Sequence, residues 1–208
     1  MDEMRVLRAD DPGRAELEAA GWTLAGESWG ARLTVAVPPR LIGARAAVEA
    51  ARAAGFEVRE LRDVEADAVN ELEAATQADY PYTPATAREH LDLDAARTLF
   101  AGDGRVFGAF DDGLLVAVTA IERRGGHAET DFTSVRSTHR RRGLAVAVKA
   151  LSVVTLADEG VRTFGTGGAQ ANAGSIRMNE ALGYEIHERW VSLRRAAAGG
   201  GSTEPAGI

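Results

Sequence analysis

Three arginines and a glycine stand together in "STHRRRGLAVAVKA", residues 137–150, immediately ahead of a small, apolar, helix-forming run. A turn that opens a helix gathers unpaired backbone N–H groups and the positive end of the helix dipole at one point. Phosphate oxygens bind at such points. Gly143 lets a ligand approach without a Cβ in the way, Ala145 nearly does the same, and Arg140, Arg141 and Arg142 set full charges around the rim. The string is neither Gly-x-x-x-x-Gly-Lys-Ser/Thr nor Gly-x-Gly-x-x-Gly, so the expected pyrophosphate site is of another kind. The plainer alternative is a solvated basic turn paired with acidic neighbours.

The rest of the chain makes this cluster a local exception. Its 208 residues carry a net charge of −7, which argues against coating nucleic acid, where a surface excess of Lys and Arg replaces phosphate counterions. A small, local anion fits better. Without cysteine there is no disulfide, thiolate metal site or cysteine nucleophile, and His90, His127, His139 and His187 show no metal-ligand spacing, so no metal is expected. No apolar run reaches the roughly 20 residues of a membrane helix, and Met1-Asp2-Glu3-Met4-Arg5 lacks the layout of a secretory signal. The expectation is a cytoplasmic protein without a membrane partner.

Periodicity supplies the elements that must position the turn. "FEVREL" (56–61) reads as a strand, 65–78 as a helix, and 86–93 as a second short helix after the break at "YPYTP". Strands at 105–110 and 114–122 flank Asp111-Asp112-Gly113, a hairpin signal, and 127–135 adds a third strand to the meander. A helix over 144–158 stops at Gly160, a strand follows at 161–167, a helix over 173–182 stops at Gly183, and 184–193 is the last strand. The order β-α-α-β-β-β-α-β-α-β implies a mixed α/β sheet with a right-handed crossover after residue 135. The first 55 residues form an N-terminal extension with an Ala-rich helix over 41–54, and 196–208 reads as a flexible tail. "EAAGWTLAGESWGARL" (18–33) parallels "EALGYEIHERWVSL" (180–193), so the extension is either a degenerate partial repeat that packs a strand pair beside the main sheet or a chance likeness of helix-Gly-strand junctions.

Arg140-Arg141-Arg142-Gly143-Leu144-Ala145 resembles the Arg/Gln-x-x-Gly-x-Gly/Ala motif of the GNAT N-acetyltransferases, with Val135 five residues ahead, where that family ends its fourth strand. The element order over 56–195, "NAGS" and the "NEALGY" ending all follow in sequence. The resemblance implies a GNAT domain over 56–195, a mixed, mostly antiparallel sheet flanked by helices. It also implies acetyl-CoA as cosubstrate. Thr133, Ser134 and Val135 would pair with the pantetheine arm like an added strand, and the amides of Arg141, Arg142, Gly143, Leu144 and Ala145, with Arg140 beside them, would hold the pyrophosphate. The thioester would lie in the gap between the family's fourth and fifth strands. Asn172 and Ser175 match the place where relatives set polar groups against the cofactor, and Asn172 also suits a helix N-cap.

The implied reaction is direct attack of a primary amine on the thioester in a ternary complex. "AETDFTSV" (128–135) resembles the strand on which histone-type members carry a glutamate six residues before the final valine, and Glu129 holds that place. Alternation puts it on one face with Asp131, Thr133 and Val135. Glu129 is the first candidate base, with Asp131 and Glu122 as alternatives and an outward acidic row as the bland one. Many relatives have a tyrosine four residues before the Gly of the "LGF/LGY" ending. Here that position is Asn179, which can donate a hydrogen bond to the cofactor sulfur but cannot surrender a proton. The general acid stays open between water, Tyr80 and Tyr82. Asp79, Tyr80 and Tyr82 in the loop 75–86, with Glu122, would frame a cationic acceptor, a small molecule or a peptide. The departure at 179 also leaves room for a non-catalytic acyl-CoA sensor or scaffold. The assembly expected is a monomer or a homodimer, the latter if "ERWVSL" is a free sheet edge.

Overall fold

The computed structural model describes residues 3–80, 83–86 and 91–196. Eight strands form one sheet: β1 (Glu3–Arg8), β2 (Thr23–Thr34), β3 (Glu57–Glu60), β4 (Gly104–Asp111), β5 (Leu114–Arg124), β6 (His127–Val135), β7 (Thr163–Ala169) and β8 (Glu185–Arg195). The helices are α1 (Arg14–Ala19), α2 (Ile42–Ala53), α3 (Ala66–Thr76), α4 (Leu93–Thr98), α5 (Leu144–Asp158) and α6 (Ala173–Ala181). Over 56–195 this order is the one periodicity predicts. The sheet runs β1-β8-β2-β7-β6-β5-β4-β3. All neighbours are antiparallel except β6 and β7, which α5 joins as a parallel crossover.

Turn chemistry explains the boundaries. Asp112 and Gly113 both have positive φ, 51° and 83°, which the two-residue hairpin between β4 and β5 requires. Residues 87–90 of the second short helix expected over 86–93 lie outside the described residues, and α4 follows them, starting where Asp92 accepts the Ala95 N–H at 2.8 Å as an N-cap. Thr86 instead closes a turn, accepting the Thr83 N–H at 3.0 Å.

Helices cover both faces. α2 and α5 share a core with β3, β4 and β5 through Val48, Phe56, Val116, Leu144 and Val148. On the other face Val69 and Leu72 of α3 meet Val106, Val118 and Phe132. α5 is apolar on nearly every side because sheet and helices surround it.

The N-terminal segment runs through the sheet. Where the sequence suggests a strand pair beside it, β1 and β2 lie on either side of β8, and β2 separates β8 from β7. "ERWVSL" therefore belongs to an interior strand, covered within the chain. The two halves of the sequence echo, β2 and β8, are direct antiparallel partners, with Ser28 opposite Trp190 and Trp29 opposite Arg189. Trp29 is 2% exposed and donates its Nε1–H to the Ala169 carbonyl of β7 at 3.2 Å.

Candidate active site

The parallel strands β6 and β7 pair at three positions only, His127 with Thr163, Ala128 with Phe164 and Glu129 with Gly165. Beyond them the strands part. Asp131 is the extra residue of a β-bulge, since Ile121 pairs with Thr130 while Ala120 pairs with Phe132. A bulge bends its strand and breaks the expected alternation, so Glu129, opposite Glu122, lies on the other face from Thr133 and Val135, opposite Thr119 and Ala117, and here the bulge coincides with the parting. The β6–β7 ladder ends at Glu129, so no strand of the described residues covers that edge of β6 over 133–135, where an extended ligand can lie. A cleft of about 1000 Å³ opens there, between β6, the start of α5, Thr166 and Gly167 of β7, and α6.

The arginine turn closes one end of this cleft. Arg141 adopts φ 66° and Gly143 φ 77°, so left-handed backbone recurs two residues apart and turns N–H groups to one side ahead of α5. A non-glycine residue there costs about 1–2 kcal/mol, a strain expected where a ligand repays it. Arg140, Arg141, Gly143, Leu144 and Ala145 all line the cleft. Arg140 is tied down, donating to the Val135 carbonyl at 3.2 Å and to Asp79 at 2.6 Å. Arg141 has no carboxylate partner among the described residues. Arg142 turns away, 3.9 Å from Asp111 and stacked on Phe56 at 5.9 Å, so only its backbone is placed to serve an anion.

The basic nest at one end and the unpaired strand edge running from it fit a pyrophosphate followed by an extended arm. Exchanging Gly143 for Val tests this directly. An added Cβ meets nothing in the protein, so the expected cost is the left-handed backbone and the ligand's approach. Affinity for a ligand that carries a pyrophosphate and an extended arm should fall about tenfold to a hundredfold in calorimetry, with the helical signal retained. Unchanged affinity would remove the nest from the site.

The other expected residues are distributed unevenly. Thr133, Ser134, Val135, Asn172 and Ser175 line the cleft. Asn172 caps α6, accepting the Ser175 N–H at 3.0 Å. Asn179 is 2% exposed and outside the lining, and its Nδ2 donates to the Ser175 carbonyl at 2.9 Å. Asp79 and Tyr80 line the cleft, but Asp79 spends its carboxylate on Arg140 at the arginine-turn end. Tyr82 lies outside the described residues. Glu122 is exposed, away from the cleft lining, and bonded to Arg124 at 2.7 Å, a hydrogen bond that lowers its pKa.

Glu129 sits just outside the cleft lining, at the closed end of the gap in the last β6–β7 pair. His127 Nε2 is 3.0 Å from its Oε2, and His127 Nδ1 is 3.1 Å from Thr163 Oγ1, so the imidazole is held on both sides. Gly165 makes the room, because a Cβ there would overlap the Glu129 carboxylate. Asp131, two residues on, lines the cleft itself.

Thr76, Lys149, Thr166 and Arg177 also line the cleft and were not foreseen. Lys149 had a visible signal. It is the only charged residue between Leu144 and Ala157 of an otherwise apolar helix. The others depend on which strand and helix ends meet across the gap.

Residues 66–184 match the family described as acetyltransferase (GNAT) family. A search of curated protein sequences finds no match. Among solved structures, a GCN5-related N-acetyltransferase from Sphaerobacter thermophilus is 17% identical, with a TM-score of 0.68 over 94% of this chain and 59% of that one. A tandem GNAT protein from the clavulanic acid biosynthesis pathway is 24% identical, with a TM-score of 0.57 over 93% of this chain and 63% of that one. The PaiA N-acetyltransferase from Thermoplasma acidophilum, solved in complex with coenzyme A, is 12% identical, with a TM-score of 0.56 over 68% of this chain and 99% of that one. At these identities the likeness is one of fold. The chain spans less than two thirds of the length of the first two. No helix among the described residues is long and apolar enough to cross a membrane.

Proposed function

The chain belongs to the GNAT acetyltransferase family, whose members use acetyl-CoA, and from that premise we propose that it moves an acetyl group from acetyl-CoA to a primary amine by direct attack. The observation that carries this proposal is the cleft itself, which runs along β6 from the nest at Arg141 and Gly143 to the point where β6 and β7 rejoin. Acetyl-CoA supplies the activated acyl group when bound. The nest and Arg141 hold its phosphates, residues 133–135 align its arm by backbone hydrogen bonds, and Asn172 holds the start of α6 against it.

Glu129 is the proposed base. It takes the proton that the attacking amine must lose, and His127 fixes the carboxylate and extends a path toward solvent. Asp131, in the cleft and one strand step away, is placed to attract a cationic acceptor. The acceptor is a small-molecule or peptide amine, and the protein works as a monomer or a homodimer in the cytoplasm.

Free CoA released from acetyl-CoA in the presence of a panel of amines tests the function. A thiol reagent reads it against low background, since the protein has no cysteine. Amine-dependent release is expected, falling about 10²–10⁴-fold in E129Q, the range for loss of a general base. Tight acetyl-CoA binding without release for any amine would instead favour a non-catalytic acyl-CoA sensor, the reading that Asn179 leaves open.

A second variant reaches the base without touching it. Gly165→Ala should push the Glu129 carboxylate aside, since that flexible end is what a Cβ would meet. Turnover should drop at least tenfold while acetyl-CoA affinity and melting temperature stay near wild type. Full activity in G165A would argue that the position of Glu129 does not matter.

A further inference from the structure

Lys149 reaches the cleft from beneath, midway along α5, and has no part in the account above. It is 1% exposed and lines the cleft with Thr166 and Gly167. Nζ donates to Thr166 Oγ1 at 2.9 Å and lies 4.7 Å from the centre of the Tyr184 ring. Thr166 directly follows Gly165, the last β7 residue paired to β6, so the amine stands where the gap begins to open. An ammonium has three donors, and among the described residues no carboxylate lies within ion-pair distance of this one. A buried, under-partnered amine at the apex of a ligand cleft is placed for an atom that arrives with negative charge.

The leaving sulfur is such an atom. The proposed ligand runs from the nest along residues 135 to 130, about 17 Å of extended strand, and its reactive end then lies at the apex. We propose that Lys149 is the general acid of the transfer, donating a proton from Nζ to the sulfur of CoA as the thioester C–S bond breaks. This rests on the acetyl-CoA reading of the cleft. The acceptor nitrogen forms its bond to the carbonyl carbon, the C–S electron pair goes to sulfur, and the Lys149 proton joins it there, leaving a neutral amine and CoA as the thiol. The proton that the acceptor gives up to Glu129 restores the ammonium, so none is gained or lost over a turnover.

The surroundings suit the task. Burial drives the lysine pKa down from 10.5 to about 7, with the nearby Glu129 charge pulling the other way. An acid of that strength is close to a thiol, whose pKa is about 8.5, so the proton can pass from Nζ to the departing sulfur. The titratable groups around Nζ are Glu129 on β6 and Tyr184 at the head of β8, while Arg177 on α6 lines the cleft but is exposed. Tyr184 is no rival. It is 3% exposed, outside the cleft lining, and burial raises its pKa further. Tyr80 lines the cleft beside Asp79, which is bonded to Arg140 at the opposite end. Asn179, where relatives set a tyrosine, is buried outside the lining, which among the described residues leaves the apex to the lysine.

Titration of bound CoA tests the contact without any acceptor. The thiolate absorbs in the ultraviolet, and desulfo-CoA bound to the same protein gives the blank. With wild-type protein the bound thiol should titrate at least about one pH unit below the free value of about 8.5, because the charge of the Lys149 ammonium beside the sulfur stabilises the thiolate. With Lys149→Met, which keeps the stem's volume without the charge, it should titrate at or above that value, while desulfo-CoA binds both proteins alike. The same thiol pKa in both proteins would overturn the role of Lys149 and leave the CoA site standing. No binding of either ligand to wild type would remove the CoA site and this proposal together. Should K149M fail to fold, a wild-type bound thiol that titrates at or above about 8.5 overturns the proposal unaided.

Discussion

A chain that begins at Gly55 is expected to be recovered unfolded or aggregated, although it retains every residue from β3 onward. The reason is the place of β2. β8 has β1 on one side and β2 on the other, so it loses both partners, and β7 loses the neighbour that pairs with it from Thr163 to Ala169. The truncation also strips Trp29, Ala31, Leu33 and Val35 from one core cluster, and the α2 residues Ala44, Val48 and Ala51 from another. Each large buried side chain contributes roughly 1.5–3 kcal/mol, so Trp29, Leu33, Val35 and Val48 together contribute about 6–12 kcal/mol, comparable with the roughly 5–15 kcal/mol that typically holds a domain together. Two exposed strand edges would then favour aggregation. Circular dichroism and size-exclusion chromatography check this. A soluble, monomeric, cooperatively melting truncate would mean that residues 56–195 hold their core alone.

The second large effect concerns Lys149 and pH. K149M should melt about 5–10 °C above wild type at pH 6–7, and the gain should shrink through pH 8–9 and vanish near pH 10. In the unfolded chain the lysine keeps its proton up to about pH 10.4, whereas in the folded chain burial strips it near pH 7. Between those values the unfolded state binds more protons, so wild-type stability rises with pH across that window. Below it the full penalty for the buried charge applies. Methionine removes the penalty and keeps the packing against Tyr184 and Thr166. Equal melting temperatures at pH 6.5 would mean that the site hydrates or pairs its charge better than its single hydrogen bond implies. A gain would show a residue kept at a cost in stability, as expected of a group retained for chemistry.

Local signals made most of the main sheet legible. Asp112-Gly113 could only be a tight hairpin, Gly160 and Gly183, with φ of 104° and 85°, end the segments after α5 and α6, and the period of 144–158 returns the bounds of α5 residue for residue. The start of α4 depends on one capping side chain, Asp92, a local signal that helical period alone does not carry. In the cleft, the arginine turn was legible because charge, glycine and helix start are contiguous. The direction of each arginine was not. Arg142 leaves for Phe56 and Asp111, and Arg140 is taken up by Asp79, because partners distant in sequence settle where a long side chain lies.

The sequence by itself determined the element order, the helix-opening nest and the absence of a tyrosine at 179. Each depends on residues within a few positions of one another, through turn conformation, capping and period. Tertiary structure alone decided that β2 passes between β7 and β8, that Gly165 yields space to Glu129, and that the Lys149 amine emerges at the apex of the gap. These are meetings of segments far apart in the chain. Strand pairing is specified by backbone groups that every residue shares, and burial by neighbours that only the assembled sheet brings together.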